Sequence, residues 1–205
     1  MTSNSNTLFF GNSLDASCIL GDLQEFRNYI DGYLKNESKY FEEEAHVDLE
    51  REFLPLFSET FPPILHSSLV ITSVIFLETQ IRGISQALKE KLNLKLSLRD
   101  LSGNLLDQFK KYLIAVADVD SAHEHIPWDD VSSLFEFRNC LVHADGILTN
   151  YPKRKVIEQL FNKHGLELGE GELISVDSDA SEKALLISSS FIEAVYRCLL
   201  NEFPK

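Results

Sequence analysis

The sequence predicts an all-α fold, an up-and-down helical bundle of about five to six helices. Apolar residues recur at three- and four-residue spacings along most of the chain, and the prolines fall between those runs. Only residues 166–176 alternate with a period of two, and there a small β-hairpin is expected around Gly169 and Gly171. A length of 205 residues suits one domain, spanning 1–205 with its first dozen residues frayed, and 44% hydrophobic content fills one core.

The first helix begins near Ser13 or Asp15, either able to cap it. Ile19, Leu23, Phe26, Ile30 and Leu34 form its apolar face, and it runs at most to Phe53 because Pro55 limits it. Pro62 and Pro63 suit the first turn of a second helix that continues to Leu92. Apolar nearly all round in its first half, that helix is the centre of the bundle. Asp100 or Ser102 caps a third helix, which buries Leu101, Leu105, Leu106, Phe109, Tyr112, Leu113 and Val116. A polar loop follows over residues 118–126.

Pro127, Asp129 and Asp130 open a fourth helix, placing acid at the positive end of its dipole. It carries Leu134, Phe137, Leu141 and Val142 and stops at the C-cap Asp145-Gly146. A short helix with Val156, Ile157, Leu160 and Phe161 ends at His164-Gly165. Asp179 or Ser181 caps the last helix, lined by Leu185, Leu186, Phe191, Ile192, Val195 and Leu199.

A formal net charge of -13 argues against a nucleic-acid coat protein, which needs a basic face to displace counterions. Cys18, Cys140 and Cys198 are odd in number and far apart, so neither a disulfide framework nor a structural zinc site is expected. Reduced thiols and a start without a basic leader segment predict a cytoplasmic protein. The apolar run 69–77 is too short for the roughly 20 residues of a membrane span and reads as buried core helix.

One stretch carries chemistry. Arg138, Asn139 and His143 occupy the last turn and a half of the fourth helix. Asn139 and His143 are four apart and share a face, with Arg138 about 100° round the helix from Asn139. Spacing alone fits a solvated or structural helix end better than a site. His123 and His125 flank Glu124 in the polar loop, a pairing that fits a solvated loop better than a metal site. His46, His66 and His164 read as structural or surface residues. Glu78, on the apolar central helix, needs a partner, with Arg82 preferred to Arg138.

The string Arg138-Asn139-Cys140-Leu141-Val142-His143 resembles the RxxxxH signature of the HEPN superfamily, in which a polar residue, often Asn, follows the Arg. The resemblance implies a helical bundle acting as a homodimer, with the two motif helices together at one cleft. It implies a metal-independent endoribonuclease without a cofactor, a toxin or defence effector, and a cognate antitoxin as a further partner. Arg138 would hold the phosphate, His143 would do acid/base work, and Asn139 would orient His143 or bind a phosphate oxygen. Lys153, Arg154 and Lys155 are the nearest candidates for RNA contacts, with Lys110 and Lys111 as others. Leu134 and Phe135 are candidate dimer contacts. A non-catalytic HEPN module binding a nucleotide, an RNA or a protein is the alternative, and an unrelated helical adaptor is the third reading.

Overall fold

The first helix, α1, spans Ser5–Glu43 and starts earlier than the sequence suggested. Between Ser5 and Leu14 only Gly11 opposes a helix, at a cost of about 1 kcal/mol relative to Ala. The computed structural model describes residues 5–43, 52–169 and 172–203, with side chains from Asp15 onward. The continuation of the first helix expected beyond Glu43 falls mostly on residues 44–51, outside the described residues.

The buried stripe of α1 also differs from the expected one. Ala16, Leu20, Arg27 and Leu34 are buried, whereas Ile19 is 44% and Phe26 50% exposed. A shift of one position rotates a helix by about 100°, and here it turns Arg27 inward and Phe26 outward.

The second helix, α2, spans Phe61–Lys91 and is led without a break by a π-helical turn, Leu56–Thr60. Its expected start at Pro62-Pro63 lies inside this helical run, and Pro55 belongs to the run's first turn rather than ending α1. Proline lacks an N–H and crowds the carbonyl four residues back. The wider turn ahead of the pair accommodates both defects, with the Phe61 N–H bonded five residues back to Leu56 O. Thr60 Oγ1 donates to Pro55 O at 3.2 Å and Ser58 Oγ to Leu54 O at 2.9 Å.

Five further α-helices complete the described residues: α3, Leu105–Lys111; α4, Ala122–His125; α5, Trp128–His143; α6, Arg154–His164; and α7, Ser178–Glu202. The chain is all-α, as its periodicity predicts. Asn104 caps α3, accepting from the Asp107 N–H at 2.9 Å, while Asp100 closes a separate 3-10 turn, Leu98–Asp100. Neither Asp100 nor Ser102 is the cap, because the chain turns once more at Gly103, where φ is +115°. The segment expected as a plain loop contains α4.

Two compact units share these helices. One comprises the described residues of Met1–Leu20, Val74–Ser132 and Ile187–Lys205. Trp128 is its centre, edge-on to Phe109 and Phe191 with ring centroids 6.1 and 5.6 Å away. The indole N–H donates to Ala122 O at 2.8 Å, which explains why the α4 turn forms.

The other unit comprises the described residues of Gly21–Ser73 and Ser133–Leu186. Phe137 of α5 meets Phe161 of α6 at 5.1 Å. A polar network joins its parts of α1, α2 and α7. Arg27 Nη2 donates to Glu182 Oε2 at 2.9 Å and to Ser178 Oγ at 3.0 Å. His66 is 2% exposed. Its Nδ1 lies 3.0 Å from Ser181 Oγ and its Nε2 3.5 Å from Asp31 Oδ1. The Ser181 hydroxyl also donates to Ser178 O at 2.9 Å.

No strand forms among the described residues, so the hairpin expected at 166–176 is replaced by one antiparallel bridge, Ile147 with Leu173. Leu148 N–H donates to Glu172 O at 2.7 Å and Ile174 N–H to Gly146 O at 2.9 Å. The alternation is real, since Ile174 and Val176 are buried between exposed neighbours, but the pairing partner is the turn after α5. Asp177 starts α7, accepting from the Ala180 N–H at 2.8 Å. Leu186, expected in the core, is exposed. The runs Leu56–Lys91 and Ser178–Glu202 are long and apolar enough to cross a membrane. Both also supply core residues, among them Val70, Val74, Leu77, Phe191 and Val195.

Truncating Phe191, fully buried in the first unit, should cost about 3–5 kcal/mol on unfolding in denaturant. A loss under 1 kcal/mol would show that the aromatic cluster does not hold that unit together.

The second unit should be acid-sensitive. Burial holds His66 below its ordinary value of 6.5; Arg27 adds to that, against an upward pull from Asp31 and Asp177. A histidine with a lower pKa folded than unfolded stabilises the fold above about 6.5 and loses that contribution as the pH falls. Asp31, half-buried, would rise on that account, yet Lys35 and Ser178 bonds hold it below its ordinary 3.8, so it works in the same direction at lower pH. Melting temperature should therefore drop from pH 7 to 5, and less steeply in His66→Gln. Equal slopes for the two proteins would exclude His66 as the source.

Candidate active site

The motif sits where sequence placed it, at the C-terminal end of α5. Arg138 is half-buried, and its Nη1 donates to Asn139 Oδ1 at 3.1 Å. Asn139 is also half-buried, and its side-chain oxygen is the acceptor of that bond. His143 is exposed on the last turn, and its ring makes no hydrogen bond or ion pair with a described residue. Arg138 and His143 are about 140° apart round the helix axis, with Asn139 between them and bonded to Arg138.

The turn beyond the motif is tied back to the same helix. Asp145 and Gly146 adopt positive φ angles of 49° and 74°, and the Gly146 N–H reaches Cys140 O at 3.1 Å. Cys140, buried, contacts Ile147 O through its sulfur at 3.7 Å, and burial pushes its thiol pKa up. Tyr151 donates to Glu136 through its hydroxyl, 3.3 Å from the carbonyl and 3.2 Å from Oε2. Burial and the Glu136 carboxylate push the Tyr151 phenol up to about 12, so it remains a donor at any physiological pH.

Of the candidate RNA contacts, Lys153 and Lys155 are exposed. Arg154 is committed elsewhere, bonded to Glu158 at 2.7 Å and 3.7 Å from Glu172. Lys111 donates to Ser102 O at 2.7 Å, and Lys110 lies over the Trp128 ring at 5.5 Å. Leu134, a candidate dimer contact, is fully buried in its own chain, and Phe135 is half-buried. Val142, 43% exposed, is the apolar residue that the motif helix presents outward. Glu78 is half-buried. Among the described residues no group of three or more His, Cys, Asp or Glu is arranged to hold a metal.

Two groupings were not legible as sites in the sequence. Ser181, His66 and Asp31 have the order of a hydrolase triad, but Ser181 is buried and gives its proton to Ser178 O, so it presents no nucleophile. The other is a hollow of about 470 Å³ in the first unit, lined by Arg82, Lys89 and Arg99. The seven-residue spacing of Arg82 and Lys89 signals one helix face, but nothing in the sequence brings Arg99 beside them.

Gly146→Ala forces a side chain onto a positive φ, at roughly 1–2 kcal/mol. Its melting temperature should fall and the amides of residues 146–148 should exchange faster; unchanged exchange would show that the turn does not depend on Gly146. No family model, curated protein or solved structure matches this chain.

Proposed function

We propose that the chain is a metal-independent endoribonuclease of HEPN type, cytoplasmic, cutting RNA as a homodimer at a cleft between paired motif helices. The state of the motif is the observation that supports it most: Asn139 holds Arg138, while His143 stands exposed on the same helix end. Because one chain leaves Arg138 and His143 on different sides of α5, a cleft lined by two copies is the arrangement that completes the set. Val142 and the half-buried Phe135 are the apolar residues of α5 that such a contact would cover.

In this reading His143 takes the proton of the ribose 2′-hydroxyl as its oxygen attacks phosphorus. The partner subunit's His143, protonated, gives a proton to the departing 5′-oxygen as the P–O bond breaks. Arg138 grips the equatorial oxygens of the phosphorane, where an always-charged planar fork contributes most. The products are a 2′,3′-cyclic phosphate and a 5′-hydroxyl. Lys153 and Lys155 would guide the RNA strand, and Arg154 would not. A toxin or stress effector of this kind would be held inactive by an antitoxin.

A second reading, a non-catalytic HEPN module binding a nucleotide or RNA, is favoured by the net charge of -13 and the commitment of Arg154 to Glu158. Total RNA incubated with purified protein in EDTA separates the two. The wild type should cut, and His143→Ala should lose about 10²–10⁴ of the rate. Equal cutting by both proteins would overturn the assignment of His143. Absence of cutting, with the dimer confirmed by sedimentation, would favour the binding module.

A further inference from the structure

In a chain with 32 acidic and 19 basic residues, the hollow between α2 and the Leu98–Asp100 turn has a reversed charge. Arg82 and Lys89 reach it from one face of α2, two turns apart, and Arg99 comes from the turn. Arg82 and Arg99 are exposed and Lys89 is half-buried. None of the three forms an ion pair with a described carboxylate.

The acids closest in sequence are occupied. Glu90 accepts from Gln86 Nε2 at 2.6 Å. Asp100 accepts from both the N–H and the hydroxyl of Ser97 at 2.7 Å; those bonds, with a smaller pull from Lys89, hold its carboxyl below the ordinary value. The second unit's hollow, about 390 Å³, shows the contrast: there Lys35 pairs with Asp31 and Lys39 with Glu43. Three cations gathered around one nearby carboxylate, Asp100, still repel one another, and an anion relieves that repulsion.

We propose that this hollow binds a small ligand carrying two or more phosphate groups, gripped by Arg82, Lys89 and Arg99. Its volume is that of a small-molecule site. Arg82 and Lys89 are about 10 Å apart along the helix axis, a span that a chain of phosphates bridges better than one phosphate. Three cations around one hollow suit a short phosphate chain better than a long polyanion such as RNA, most of which would extend past them. The phosphate chain has two sources, inorganic polyphosphate and the tail of a nucleoside triphosphate. None of the motif residues takes part, so the site stands or falls independently of RNA cleavage.

Titration calorimetry of the full chain with inorganic triphosphate, at constant ionic strength, tests it. Triphosphate should bind one per chain and orthophosphate at least about tenfold more weakly. Arg82→Gln with Arg99→Gln should weaken triphosphate at least about tenfold, since each lost charge-assisted bond is worth about a factor of ten. Both side chains are exposed, so the unliganded melting temperature should stay within about 1 °C of wild type. ATP binding more tightly than triphosphate would place the source as a nucleotide, and equal binding as the phosphate chain alone. Heats that vanish in matched potassium chloride, or equal affinity in the double variant, would overturn the site. A short RNA binding more tightly than either, and weakened by the same substitutions, would overturn the small-ligand assignment.

Discussion

Arg27 enters the interior, and the rotation of α1 within its unit follows from that. Only 6% exposed, it has Asn28, Ser178 and Glu182 as partners, with Asp31 and His66 in the same network. A guanidinium removed from water costs several kcal/mol unless its hydrogens find acceptors; Nη1 and Nη2 find them and Nε does not, so the helix can settle only where the Nη acceptors are. A turn of one residue would expel Arg27 and bury Phe26. What the network contributes is a choice between rotations more than net stability. The consequence on the outside is an aromatic row, Phe26, Tyr29, Tyr33 and Tyr40, left exposed along α1.

That choice explains which parts of the fold were legible. Helices whose apolar stripe is also their buried stripe, such as α6 with Ile157, Leu160 and Phe161, follow directly from spacing. On α1 the apolar stripe and the buried stripe are different faces, because long-range polar partners on α2 and α7 outweigh local periodicity. The π turn before Pro62 belongs to the same class. Proline rules allow a helix to start there, but they do not foresee a run that absorbs two prolines by widening the turn ahead of them. Residues 166–176 have a genuine period of two, yet a strand needs a partner, and theirs is the short segment following α5.

The candidate site divides along the same line. Arg138, Asn139 and His143 are legible because they are a contiguous string on one helix, and their placement there is local. Asn139 bonding to Arg138, and Arg154 turning to Glu158, depend on rotamers and neighbours that a string does not encode. Leu134 illustrates the limit most simply: on a helix it is an apolar residue near the motif, and only tertiary packing decides that it faces its own core.

The single tryptophan has a use that follows from where it lies. Trp128 is packed between two phenylalanines in one unit, whereas the described residues of the other unit contain tyrosines but no tryptophan. Excitation at the red edge therefore reads one half of the molecule alone. Its emission, set beside a whole-chain signal such as far-ultraviolet dichroism, gives a label-free measure of whether the two halves, strung on the same long helices, melt as one or in succession.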